Sequence, residues 1–248
     1  MDNIKNLISN THLCCYSNNN MTISKNVLIE SFINVAGGQK ENVHSFSFED
    51  IQQDQTFYNF NKDVLEKDRG SGYWMWKPYI ILDTLNKVDF GTYVLYCDSG
   101  VQIVHQLDEL YKLGDFVVFN NEWAHIDWCK MDVLKGMLPQ YELQQLINIR
   151  QVQASVFLIK KTEYTVKLIR EWLSWSQVTN FIDDTPSRLP NHSRYREHRH
   201  DQAIICNLII REGIKTHWWP AQYNIIHKTP DTKYGVLFNH HRKRNNQW

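Results

Sequence analysis

Residues 92–97, Thr-Tyr-Val-Leu-Tyr-Cys, form an unbroken run of β-branched, aromatic and apolar side chains that stops on Asp98-Ser99-Gly100. A strand that is apolar at successive positions must bury both faces, which is the pattern of a central strand covered by helices on each side. The flanking sequence alternates in kind as such a sheet requires. His12–Tyr16 and residues 43–48, 115–120, 153–159 and 216–219 read as strands. Residues 22–35, 79–87 and 140–149, with Glu163–Ser176 and His200–Arg211, read as helices, and residues 57–67 as a weaker one. Pro78 suits a first helical position, and Gly37 and Gly213 stand where helices should stop. With no internal repeat and no low-complexity linker, residues 1–248 are expected to form one α/β domain.

Composition narrows the partners. The 27 Lys and Arg balance 27 Asp and Glu, and the isoelectric point is near 7.2. That balance excludes a chain that holds nucleic acid by its overall charge, so any polyanion must be met locally. No apolar run approaches the roughly 20 residues of a spanning helix. The N-terminus lacks the apolar core and cleavage site of a signal peptide, so a cytoplasmic location is expected. The five cysteines are odd in number and contain no Cys-x2-Cys pair, so they are expected to be buried apolar residues rather than disulfides or zinc ligands.

Open α/β sheets take ligands at the carboxyl ends of their strands. Asp98, followed by Ser99 and Gly100, would let a cation or phosphate approach the backbone closely, although an ordinary turn after a strand uses the same residue types. The segment Gly72-Tyr73-Trp74-Met75-Trp76-Lys77-Pro78 precedes it. If this segment alternates as extended chain does, Trp74 and Trp76 share a packing face and Lys77 faces the site.

These two segments resemble the GT-A fold nucleotide-sugar glycosyltransferases. More narrowly, they are similar to a bacterial and viral group of capsule and lipopolysaccharide glycosyltransferases that carries a Gly-Tyr-Trp-x-Trp-Lys-Pro segment and an Asp-x-Gly variant of the Asp-x-Asp motif. Gln153-Ala154-Ser155, Glu171-Trp172-Leu173, the run from Glu197 to Gln202 and the closing His240-His241-Arg242-Lys243-Arg244 fit the same group.

The resemblance implies a single GT-A domain with a mostly parallel central sheet flanked by helices. It implies transfer of a sugar from a nucleotide-diphosphate donor, a UDP-sugar first among them, to a hydroxyl of a glycan or glycolipid acceptor in surface polysaccharide, lipopolysaccharide or glycoprotein glycan synthesis. The donor would meet Tyr16 and Asn18 at its nucleoside, and Arg69, Trp76, Lys77, Asp98, Ser99, Gly100 and His200 at its diphosphate and sugar. Lys130 and Asp132 match a Lys-x-Asp pattern lining the donor or acceptor pocket. Arg242, Lys243 and Arg244 form a mobile basic tail that closes over the donor, solubilises the chain end, or attaches it peripherally to anionic lipid at the inner face of the membrane. Mn2+ or Mg2+ would be held by Asp98, with His240 or His241 as second ligand because Gly100 replaces the second carboxylate. Asp201 would deprotonate the acceptor in an inverting enzyme, and Gln202 would face the sugar in a retaining one. Asp201 would equally serve as a capping carboxylate. A sugar-phosphate nucleotidyltransferase would want a glycine-rich phosphate loop that residues 17–20 lack. A catalytically idle glycan-binding protein is favoured only by the missing carboxylate at Gly100.

Overall fold

The computed structural model describes residues 2–223, 227–228 and 233–248. In chain order these form α1 (Asp2–Ser9), β1 (His12–Tyr16), α2 (Thr22–Asn34), β2 (Val43–Phe46), α3 (Phe48–Gln53), α4 (Gln55–Leu65), the single turn α5 (Gly70–Tyr73), α6 (Trp76–Lys87), β3 (Tyr93–Cys97) and β4 (Val101–Ile103). There follow β5 (Phe116–Val117), β6 (Phe119–Ala124), α7 (Met131–Met137), α8 (Leu143–Leu146), β7 (Arg150–Val152), β8 (Val156–Lys160), α9 (Glu163–Ser176) and α10 (Thr179–Ile182). The chain closes through α11 (His200–Arg211), β9 (His217–Trp218), β10 (Ala221–Tyr223), β11 (His227–Lys228) and β12 (Phe238–His240).

The apolar run is central, as expected. β3 lies in the middle of a five-stranded sheet of order β2-β1-β3-β8-β5, and all of its residues are buried. Period-two alternation divides its side chains between two cores. Val94 and Tyr96, with Cys14, Phe157 and Ile159, pack under α6, α9 and α11 through Ile81, Leu85, Trp172 and Ile204. Tyr93, Leu95 and Cys97, with Leu13 and Leu158, pack against Leu28 and Phe32 of α2 and against Val101, Ala221 and Phe238 of a second sheet, ordered β11-β10-β12-β4. The five cysteines are free and buried.

The central sheet is mixed rather than strictly parallel. β1 runs parallel to β2 and β3, whereas β8 is antiparallel to both β3 and β5. The cause is where the chain arrives: residues 153–155 cross the carboxyl end of β3, Ser155 O accepting from Asp98 N at 2.8 Å, so the next strand can only run back. The expected strand at 153–159 thus begins at Val156, and the expected helix at 140–149 shortens to α8. The α9 and α11 bounds match the expectation. Thr162 caps the first through its hydroxyl, and Gly213, at φ 63°, closes the second. Among the described residues no helix is long and apolar enough to cross a membrane.

Candidate active site

At the carboxyl end of β3 a cavity of about 550 Å³ opens beside Asp98. Its electrostatic centre is Lys77, in the first turn of α6 and 3% exposed. The ammonium lies 2.9 Å from Asp201 Oδ2 and 3.3 Å from Asp98 Oδ1, and donates to Ala154 O at 2.9 Å. Burial alone would discharge this lysine; the two carboxylates outweigh it and hold its pKa above the ordinary value. Burial pushes Asp98 up, but Lys77 and the Tyr96 hydroxyl, which donates to Oδ1 at 2.5 Å, bring it below the usual carboxylate range. Asp201 is buried more completely, shares the lysine with Asp98 and is pushed up to about 6. Two carboxylates around one cation are therefore driven apart, one held ionised and one poised near neutrality.

The wall beside Lys77 departs from the expected alternation. Gly70, Ser71, Gly72, Tyr73 and Trp74 all have positive φ, so α5 is a left-handed turn rather than extended chain. It delivers Trp74, Trp76 and Lys77 together to the cavity. Trp76 donates from its indole to Gly70 O at 3.0 Å and stacks on Tyr16 with ring centroids 3.9 Å apart. Ser99 ties the same corner down by donating to Tyr16 O at 2.8 Å. Gly72 is required here: at φ 91°, a Cβ would fall 2.6 Å from the Leu65 Cα.

The opposite rim is the C-terminal tail, which is docked against the domain. β12 pairs with β4, Arg242 N donates to Gly100 O at 3.1 Å, Asn245 Nδ2 donates to Asn19 O at 2.7 Å, and the Trp248 indole donates to Ser24 Oγ at 3.1 Å. Arg242 and Arg244 line the cavity. Lys243 does not: its ammonium lies 4.4 Å over the Trp248 ring, because successive residues of the tail point to opposite sides.

Of the residues singled out in the sequence, Tyr16, Asn18, Arg69, Trp76, Lys77, Asp98, Ser99, Gly100, His200, Asp201, Gln202, His240 and Arg242 line this one cavity. Arg69 reaches it while paired at 3.2 Å with Asp184 and with Glu197. Gln202 accepts from Ala154 N at 3.2 Å and donates to Gln151 at 2.8 Å. Lys130 and Asp132 lie outside it. The Lys130 ammonium is held by the carbonyls of Asn180, Asp183 and Thr185, and Asp132 accepts from the amides of Arg188 and Leu189, so this pair anchors the loop at 183–191.

The expected metal set comes together only in part, since Asp98 and His240 share the cavity wall and His241 does not. His241 turns onto Trp248, with ring centroids 5.1 Å apart, and leaves the cavity wall. His240 Nε2 accepts from Arg242 Nε at 3.2 Å, which leaves the imidazole proton on Nδ1. Asp98 Oδ1 is already engaged by Lys77 and Tyr96. Among the described residues no group of three or more His, Cys, Asp and Glu is disposed to hold a metal ion. A divalent cation, which wants several oxygen ligands, does not fit this donor set.

Three neighbours carried no assigned role in the sequence. Tyr96 was legible, since period two puts it on the same side of β3 as Asp98. Arg199 lines the cavity with its guanidinium 4.4 Å over Trp128 and 2.8 Å from Glu197, a placement that no local pattern signals. Gln153 donates to Ser155 at 2.7 Å at the crossing beneath Lys77.

No protein-family model and no curated protein sequence matches the chain. Solved structures do. Mouse xyloside xylosyltransferase 1 in its apo form superposes with a TM-score of 0.51 at 10% identity, over 96% of this chain and 99% of that one. The apo structure of the bifunctional glycosyltransferase WbbM superposes with a TM-score of 0.50 at 13% identity, over 87% of this chain and 39% of that one, so the chain spans about two fifths of its length. At these identities the likeness is one of fold: the chain has the α/β architecture of the GT-A glycosyltransferases.

Proposed function

We propose that this chain is a glycosyltransferase moving a sugar from a nucleotide-diphosphate donor, a UDP-sugar first among them, to a hydroxyl of a glycan acceptor. The observation that carries the reading is the buried Lys77 bridging Asp98 and Asp201 at the carboxyl end of β3, inside a cavity of a size for one nucleotide sugar. The fold, shared with a xylosyltransferase and a second glycosyltransferase, supports the same class of reaction.

In this reading the Tyr16–Trp76 stack and Asn18 receive the nucleoside, and Ser99 holds that wall in place. The leaving diphosphate accumulates charge as the glycosidic bond breaks, and cations fixed around it lower that barrier without reorganising. Asp201, near neutrality at about 6, is the carboxyl able to take the acceptor proton in an inverting reaction. Gln202, pinned from both ends of its amide at the cavity wall, would face the sugar in a retaining one. Residues 1–248 act as one catalytic domain in the cytoplasm, on the acceptor of a surface polysaccharide, lipopolysaccharide or glycoprotein glycan.

The test is a panel of nucleotide sugars with thermal shift and donor hydrolysis as readouts. A true donor at a hundredfold excess over its Kd stabilises the fold by about 2.7 kcal/mol. A panel in which no nucleotide or nucleotide sugar shifts the melting temperature overturns the reading. Product anomer analysis then separates inversion from retention.

A further inference from the structure

Gly100 stands where a second carboxylate would assist a metal, and the structure supplies a physical reason for its being glycine. A Cβ on residue 100 would lie 3.0 Å from Arg242 Cα and 3.4 Å from Arg242 N. The Arg242 backbone is held there by its bond to Gly100 O and by the β4–β12 pairing that ends at Val101 and His240. Arg242 takes this seat at φ 55°, a conformation that costs a non-glycine residue. Any side chain at 100 would therefore require the Arg242 backbone to give by a few tenths of an ångström against the bonds that hold it.

The charge balance of the cavity points the same way. One lysine and four arginines line it against three carboxylates, those of Asp68, Asp98 and Asp201. Lys77 is paired with two of these, and Arg69 and Arg199 are paired with Asp184 and Glu197. Among the described residues no carboxylate pairs with Arg242 or Arg244, both of which line the same rim. A rim whose guanidinium-bearing residues meet no described carboxylate suits a diphosphate, which accepts several charge-assisted bonds at once.

Resting on the donor site proposed above, we infer that the diphosphate is held by the chain's own cations, Arg242 with Arg244 from the docked tail, beside an Asp98 whose charge Lys77 already neutralises, and that no divalent metal is needed for donor binding. Gly100 is the residue that lets the tail supply those cations.

The experiment measures binding of UDP, GDP, ADP and dTDP to the full chain by calorimetry, in EDTA and again with excess Mn2+ or Mg2+. The expected result is one nucleoside diphosphate whose affinity in EDTA is within about threefold of that with metal. Arg242→Ala and Gly100→Ala should each weaken that diphosphate by about tenfold or more in EDTA, through loss or displacement of a charge-assisted bond. Both should leave the corresponding nucleoside within about threefold, and Arg242→Lys should recover part of the loss. Melting curves without nucleotide confirm that each variant folds. Binding that appears only with metal, or an Arg242→Ala variant that binds the diphosphate as wild type does, overturns the inference and leaves the donor site standing. Absence of any diphosphate binding under both conditions overturns the inference and the donor site together.

Discussion

Lys77 keeps its charge in a place where burial would remove it, because Asp201 and Asp98 lie 2.9 and 3.3 Å away. Deleting one member of so buried a cluster leaves the rest uncompensated, at a cost of about 3–5 kcal/mol. Lys77→Met is expected to lose stability in that range by urea unfolding at pH 7 and to abolish turnover. Asp98 is the member open to the cavity, its side chain 28% exposed, so Asp98→Asn should cost less stability and show its main effect on donor use. Asp201 titrates near 6, and as a base it works only when ionised. The kcat/KM profile of an inverting reaction should therefore rise with pH through about 6 and level off above it. Asp201→Asn should lose that limb while still binding the nucleotide diphosphate, and a limb retained in the variant would remove Asp201 from the role of base. At this scale Asp98 and Lys77 were singled out from residue type and position, but that one ammonium would join Asp98 to Asp201, 103 positions further on, was not legible.

The left-handed turn α5 decides what the aromatic segment does. Three non-glycine residues, Ser71, Tyr73 and Trp74, accept positive φ there at roughly 1 kcal/mol or more each, a strain that packing of Trp76 on Tyr16 and its bond to Gly70 O must offset. Gly72→Ala adds a contact of 2.6 Å with the Leu65 backbone to an already strained φ, and should destabilise by about 2–4 kcal/mol. Gly91→Ala is the matched control: its φ is 90°, yet nothing lies within 4 Å of the added Cβ, so only the conformational cost of about 1–2 kcal/mol should appear. Equal losses in the two variants, measured by chemical denaturation, would show that the close approach to Leu65 has no energetic weight. Alternation misread this element because period two describes extended chain, and the glycines at 70 and 72 leave the backbone free to wind the other way.

The whole molecule is built to hold neutral imidazoles. Burial lowers His125, His200 and His241 to about 4 and His240 to about 3. Each is depressed relative to an unfolded value near 6.5, so the stability it contributes is complete above about pH 6.5 and is lost as pH falls toward 4. Asp201 acts in the opposite sense, since its raised pKa favours the folded state on acidification, but it is one group against these four and His198, which burial also lowers. The melting temperature should accordingly drop steeply between pH 6.5 and 4 by calorimetry. A flat profile would mean that these histidines find solvent or partners in the native state.

The sequence by itself determined the layered α/β fold. A strand apolar on both faces cannot be satisfied except under helices or a second sheet, and Glu163–Ser176 and His200–Arg211 carry their own start and stop signals. It also marked the carboxyl end of β3 as the place for chemistry. Only the tertiary structure decided which residues meet there. Lys130 and Asp132 were drawn away to anchor a loop, His241 and Lys243 turned onto Trp248, and Arg199 and Arg242 came in from segments 101 and 144 positions beyond Asp98. Local patterns encode which face a side chain takes on its own element. Which elements face one another is settled by packing over long chain separations, and the charge set of this cavity is a product of that packing.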